Sequence, residues 1–241
     1  MNVPCGRGRG GDGGPMVKLK VLGEWRLEEG GEIVILGVRQ QRLLAALAIH
    51  GRKSRHFYSG LLWPECTEAR ALGSLRAAIF TVAQRLPKAI VSNGSEVHLA
   101  DWIEIDLSQL REVLARPLGN PGIMREPWFT GPTSVELLPG WCDEWVLLEQ
   151  HHLRRLYLAT AECAAYELLQ QGDFYGALAI AENIHALEPL RESTVRIVMQ
   201  AHLALGNHSE AVVVFRQFWA RTAQELGTRP TDNLKQLIFP Y

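Results

Sequence analysis

Short runs of hydrophobic residues at both ends of the first hundred positions predict β-hairpins. Valine, leucine and tryptophan stand among charges over residues 17–28, and an apolar run follows over 33–36. Because a glycine pair lies between these two runs, we expect them to pair as strands around a glycine turn. Further along, two more apolar runs flank Asn93-Gly94, a dipeptide that is a strong hairpin signal.

Between the hairpins, apolar residues recur at helical spacing and predict three helices. The first spans 39–50 and stops at Gly51, a natural C-terminal cap. A short second helix ends at Trp63, because the proline after it disfavours helical backbone at that residue. The third spans 67–86, with Thr67 as its N-cap. Its predicted core stripe is Leu72, Leu75, Ile79, Val82 and Leu86.

The opposite face of the third helix is small and polar, with arginines at its edges. At about 100° per residue, this face carries Arg70, Gly73, Ser74, Ala77, Thr81 and Gln84, flanked by Arg76 and Arg85. Strands, three helices and a terminal hairpin together predict a winged helix-turn-helix domain over residues 17–101.

A second domain is predicted over residues 102–241, and it carries an internal repeat. Three residues recur 34 positions later, since Leu169, Gly172 and Ala177 are followed by Leu203, Gly206 and Ala211. A glycine turn between helices at this period is the tetratricopeptide signature. We therefore predict a mainly α protein with an all-α tetratricopeptide-like second domain, a type that usually binds proteins.

The second domain is interrupted by a long connection. Residues 117–140 hold five prolines and four glycines, which helices and strands rarely accommodate. Within it, Trp128 and Phe129 are expected either to pin the connection to the surface of the following helices or to form a partner-binding loop.

The net charge of −1 conceals two domains of opposite sign. Residues 17–100 carry +5, whereas residues 101–241 carry −7. No acidic residue lies between Glu32 and Glu65, although five basic residues fall there: Arg39, Arg42, Arg52, Lys53 and Arg55. Such a patch can attract a polyanion such as nucleic acid, and a solvated basic face without a partner is the alternative.

The sequence lacks the motifs of several common catalytic and metal-binding sites. The sequence has no GxxxxGK[ST] phosphate loop, no HExxH and no GxSxG, and its four cysteines have no zinc-ligand spacing. We therefore predict that the protein is not an enzyme and uses no cofactor or metal.

Because no apolar run approaches a membrane span and no signal peptide is present, we expect a cytoplasmic protein without membrane contact. Residues 1–16, rich in glycine and arginine, are predicted to be disordered, with Met16 a candidate alternative start.

In this order, the motifs resemble the SARP family of bacterial transcriptional activators, from Val17 to nearly the end of the chain. The first domain carries LGEWRL, RQQRLLAALAIHGRKS and LLWPE, and the second carries LLPGWCDEWVLLEQHH, GDFYGALAIAENIHALEP and ELGTRPTDNL. The resemblance implies an OmpR-like winged helix followed by a bacterial transcriptional activator domain. It also implies a DNA-binding activator that recruits RNA polymerase, binding promoter DNA, with direct repeats and a homodimer as further expectations.

The resemblance identifies the third helix as the recognition helix and the Asn93-Gly94 hairpin as the wing. It thereby implies nine candidate DNA-binding residues: Arg70, Ser74, Arg76, Ala77, Thr81, Gln84, Arg85, Lys88 and Asn93. The arginines and Lys88 suit phosphates, whereas Thr81 and Gln84 suit base edges. The turn between the first two helices offers Arg52, Lys53 and Arg55 for contacts with the DNA backbone or with the polymerase.

The recognition helix departs from the family pattern. Phe80 stands where serine is common, and Thr81, Ala83 and Gln84 stand where arginines are usual. Two interpretations therefore remain open. One is a sequence-specific activator, and the other is a protein-interaction adaptor whose degenerate winged helix binds DNA weakly.

Overall fold

A computed structural model describes residues 16–117, 122–123, 126–130 and 135–239. The predicted disordered tail lies outside the described residues, except for Met16. The chain divides into two compact units, Met1–Ser108 and Gln109–Tyr241. The domain boundary predicted after residue 101 stays a prediction.

The first unit contains seven strands and three complete helices among its described residues. The strands are β1 (Val17–Lys20), β2 (Arg26–Glu29), β3 (Glu32–Ile33), β4 (Lys53–Ser54), β5 (Ile90–Asn93), β6 (Glu96–Leu99) and β7 (Ile103–Ile105). The helices are α1 (Val38–His50), α2 (Arg55–Leu62) and α3 (Glu68–Arg85), and α4 (Asp106–Leu114) begins at the end of the unit.

The first sheet has the order β3-β2-β1-β7, with β7 parallel to β1. The predicted pairing around the glycine turn is confirmed, but both predicted strands were too long. The stretch 17–28 breaks into the antiparallel pair β1 and β2, with Lys20 opposite Arg26. Of the run 33–36 only Ile33 is in a strand, because β3 is a short sheet edge and the chain turns away to begin α1 at Val38.

Asp106 ties the end of this sheet to the start of α4. Its carboxylate accepts N–H hydrogen bonds from Val21 at 3.0 Å, Leu22 at 3.0 Å and Leu107 at 2.7 Å. Burial raises the pKa of Asp106, and these three donors oppose that rise. The hydrogen bonds therefore hold together two segments that are 84 residues or more apart in sequence.

The three predicted helices are confirmed, but the buried face of α3 differs from the predicted stripe. Leu75 and Val82 are buried as expected, whereas Leu72 and Ile79 are only half-buried. Ala71 and Ala78 are buried in their place, at 2% and 3% exposure. The reason is packing, since α1 and α2 both contact α3 and thereby decide which of its side chains are buried.

A second sheet, of order β4-β6-β5, forms the wing. The predicted hairpin is confirmed, with its turn one residue later than expected. Asn93 still pairs with Glu96, so the turn consists of Gly94 and Ser95. Gly94 has φ +63°, a left-handed backbone that favours glycine. Strand β4 was not predicted, because two polar residues carry no strand pattern of their own.

The second unit is helical throughout its described secondary structure. Beyond the rest of α4, its helices are α5 (Pro127–Thr130), α6 (Glu144–Gln170), α7 (Phe174–Leu187), α8 (Glu192–Ala204), α9 (His208–Leu226) and α10 (Asp232–Gln236). Among the long helices α6 to α9, each consecutive pair packs together.

The predicted 34-residue repeat is visible as two matching turns. Gly172 between α6 and α7 has φ +82°, and Gly206 between α8 and α9 has φ +78°. The N–H of Asp173 donates to Leu168, and the N–H of Asn207, 34 residues later, donates to the matching carbonyl of His202. This repeated geometry confirms the tetratricopeptide-like architecture.

The connection before α6 is pinned to that helix by two aromatic residues. Phe129 is fully buried, and its ring stacks on Tyr157 with centroids 5.2 Å apart. The Tyr157 hydroxyl donates to the carbonyl of Trp128 at 2.9 Å. The expectation that Trp128 and Phe129 pin the connection to the following helices is therefore confirmed, and the Phe129 ring is buried where it does so.

Candidate nucleic-acid interface

The outward face of α3 carries most of the predicted DNA-binding residues. Ser74 is half-buried, and the other helical candidates are exposed: Arg70, Arg76, Ala77, Thr81, Gln84 and Arg85. The Thr81 hydroxyl donates to the carbonyl of Ala77 at 3.0 Å, which leaves its oxygen able to accept a hydrogen bond from a ligand. Lys88 and Asn93, beyond the helix, are also exposed.

One side of α3 borders an open groove of about 480 Å³ beside the start of α1. The groove is lined by Arg39, Gln40, Arg70, Gly73, Ser74, Ala77, Ala78 and Thr81. Two guanidinium groups and no carboxylate line it. Sequence reasoning did not place Arg39 or Gln40 at the site, although the acid-free stretch around them was a signal.

The other side of α3 faces the wing across a depression of about 260 Å³. The depression is lined by Arg76 of α3, by Arg55 and His56 from the start of α2, and by Gly94 and Ser95 from the wing turn. His56 lies 3.2 Å from Glu68 in an exposed pair. Thus α3 has cationic side chains on both of its flanks.

The three basic residues expected between α1 and α2 lie next to the wing: Arg52 and Lys53 are in that connection, and Arg55 is the first residue of α2. Lys53 lies in β4 and pairs with Val97 of β6. The Arg55 guanidinium donates to the Ser92 hydroxyl at 2.7 Å. Arg52 lies 4.0 Å from Glu96. The connection between α1 and α2 also contains a short strand, because β4 pairs there with β6 of the hairpin.

Both units contain ion pairs between described residues, and in the first unit Arg26 pairs with Glu24 and Glu28. In the second unit six arginines form ion pairs with carboxylates: Arg111, Arg116, Arg154, Arg191, Arg196 and Arg221. Within the described residues, no carboxylate pairs with Arg70, Arg76, Arg85 or Lys88. The face of α3 therefore keeps its positive charge available to an external anion.

Metal and membrane sites are not found in the part of the chain that the structure covers. No group of three or more histidine, cysteine, aspartate or glutamate side chains could hold a metal ion there. No helix among the described residues has the length and apolar character of a membrane span.

The fold and this site define a class of protein: a winged helix with a cationic face on its third helix, joined to a tetratricopeptide-like helical domain. Residues 128–238 match the family model of the bacterial transcriptional activator domain. Together with the winged helix before that domain, the match supports a SARP-type bacterial transcriptional activator.

One sequence relative and one solved structure are similar to this chain. The regulatory protein AfsR of Streptomyces coelicolor is 28% identical over 92% of this chain. The chain spans about a quarter of the length of that relative. The fold is also similar to that of EmbR from Mycobacterium tuberculosis, solved in complex with a low-affinity phosphopeptide, with a TM-score of 0.63. That match covers 93% of this chain and 64% of EmbR at 17% identity, which shows a common fold.

Proposed function

We propose that the protein binds promoter DNA sequence-specifically and activates transcription from it. The observation that carries the proposal is the set of four cationic side chains on and after α3 without an ionic partner among the described residues. A duplex presents a dense row of phosphates, and neutralising them releases counterions. In this arrangement α3 enters the major groove, and the β5–β6 hairpin lies beside the backbone.

The residues of α3 divide the work of binding by their chemistry. Arg70 and Arg76, on opposite flanks, contact phosphates on either side of the groove. Gln84 and Thr81 reach base edges, and the glutamine amide suits the N6 and N7 atoms of adenine. Gly73 has no side chain, and a Cβ built there meets nothing within 4 Å, so the backbone can approach the DNA closely.

The wing and the first turn of α1 widen the interface. Hydrogen bonds to the β5–β6 hairpin fix Arg55, which favours a DNA-backbone role over a polymerase contact for this residue. Arg39 shares the groove of Arg70 and supplies a further phosphate contact. The acidic second unit, of bacterial transcriptional activator type, contacts RNA polymerase and supports assembly of two copies on direct repeats.

Fluorescence anisotropy of the full chain tests the proposal. Duplexes from upstream of its own and neighbouring genes would be compared with scrambled duplexes over a salt series. We expect tighter binding to one natural duplex than to its scrambled form at near-physiological salt. The Arg76→Gln variant should lower the salt-dependence slope by about 0.9.

Arg216→Gln is the matched control, because Arg216 is an exposed arginine of α9 in the other unit. It should leave both affinity and slope unchanged. Equal, weak binding to natural and scrambled duplexes, lost on adding salt, would overturn the proposal.

That outcome would favour the second candidate function, a protein-interaction adaptor. The observation behind it is that Thr81, Ala83 and Gln84 are exposed on α3 yet uncharged, at positions where the family usually carries arginine. An adaptor of this kind would bind its partner through the tetratricopeptide-like unit.

A further inference from the structure

Phe80 is an exposed aromatic residue on the outward face of α3. Its side chain is 64% exposed, although phenylalanine is usually buried. Arg76 and Gln84 lie one helical turn before and after it, on the same side of the helix. Its neighbours Ala77 and Ala83 are too small to cover the ring.

The surroundings of Phe80 restrict what can cover it. Both flanks of α3 are cationic, with Arg70 on one side and Arg76 on the other, and neither has an ionic partner among the described residues. A partner seated on this face must therefore carry negative charge and also present an apolar group to the ring. An apolar protein surface would leave both guanidinium groups desolvated and unpaired, at a cost in free energy.

A DNA duplex meets both requirements at one base. Its phosphates supply the negative charge, and the 5-methyl group of thymine is an apolar group on the floor of the major groove. Phenylalanine is among the side chains that contact this methyl group. Because the ring projects from the middle of the face, it would reach that floor rather than the phosphate rim.

We propose that Phe80 determines specificity for thymine, by packing its ring against the 5-methyl group of one thymine in each bound half-site. The proposal rests on the proposed function, since it requires α3 to lie in the major groove. On this helix, the contact between Phe80 and thymine would supply part of the sequence specificity that arginine contacts supply elsewhere in the family.

The test uses sites that the full-length protein selects from a random duplex library. Each thymine of a selected site is replaced singly by deoxyuridine, which removes only the methyl group, and the Kd is measured by anisotropy. At one thymine per half-site, we expect the replacement to weaken binding about three- to fivefold. The Phe80→Ser variant should bind more weakly and be insensitive to that one replacement, whereas Phe80→Leu should keep part of the sensitivity.

Tyr175→Ser is the matched control, because Tyr175 is a 74% exposed aromatic residue of the other unit. It should keep the wild-type deoxyuridine pattern. Selected sites without a thymine that responds to Phe80 substitution would overturn this inference and leave the proposed function intact. If Phe80→Ser keeps the wild-type response to deoxyuridine but no longer self-associates, the inference is overturned. Phe80 would then contact a second copy of the chain. If the library yields no preferred sequence, both the inference and the proposed function fail.

Discussion

At the scale of single residues, charge on α3 decides how strongly the winged helix attracts a polyanion. The helix keeps Arg70, Arg76 and Arg85 exposed and without carboxylate partners among the described residues. Two further exposed positions on the same helix, Thr81 and Gln84, carry no charge. On the proposed function, DNA binding depends on few phosphate contacts, and recognition of DNA shape and of bases supplies the rest.

The double variant Thr81→Arg/Gln84→Arg should bind duplex DNA more tightly and with a steeper salt dependence. Two added phosphate contacts would steepen the slope by about 1.8, since each contributes about 0.9. The control Gln217→Arg/Ala220→Arg adds the same charge to exposed positions of α9. If anisotropy shows equal gains for the two variants, the outward face of α3 does not meet the phosphates.

At the scale of elements, the winged helix is held together by contacts between distant segments. Strand β7 returns after the wing to pair with β1, and Val17 lies opposite Ile103. Asp106 completes this junction by accepting hydrogen bonds from the backbone after β1. The junction fixes both ends of the segment that contains α3 and the wing, so it supports the geometry of the candidate interface.

Replacing Asp106 with alanine should destabilise the first unit by about 1–3 kcal/mol, because three backbone N–H groups lose their acceptor. Hydrogen exchange of α1 amides would report the opening free energy. Asp101→Ala removes an exposed carboxylate nearby and should change it by less than about 0.5 kcal/mol. Equal effects of the two substitutions would show that the junction does not stabilise the sheet.

At the scale of the whole molecule, the chain joins two compact units with separate cores and opposite charge. The core of the first unit includes α1 and Leu75, whereas the end of the second contains a cluster of Val195, Met199, Phe215, Phe218 and Leu234. Residues 17–100 carry a net positive charge, and residues 101–241 carry a net negative charge. A polyanion is attracted to the first unit and repelled by the second.

The two units should therefore lose stability independently. Phe218→Ala truncates a side chain that is 4% exposed and should cost the second unit about 3–5 kcal/mol. Hydrogen exchange resolved along the chain should show faster exchange in α8 and α9 and unchanged exchange in α1. Faster exchange in α1 by the same factor would mean that the chain unfolds as one cooperative body.

The sequence by itself determined the features that depend on near neighbours. The ends of α1 and α2 follow from Gly51 and from the proline after Trp63, and the turns at Gly172 and Gly206 follow from their 34-residue spacing. Glycine, proline and apolar periodicity act over a few residues, so they can be interpreted without knowing the fold.

Tertiary structure alone decided the features that join distant residues. It placed Ala71 and Ala78 in the core of α3, drew Arg55 onto the wing, buried Phe129 beside Tyr157 and brought Arg39 into the groove of Arg70. Each of these features depends on the packing of elements that are far apart in the chain. Such packing is determined by the shapes of the side chains that meet, which the local sequence pattern does not reveal.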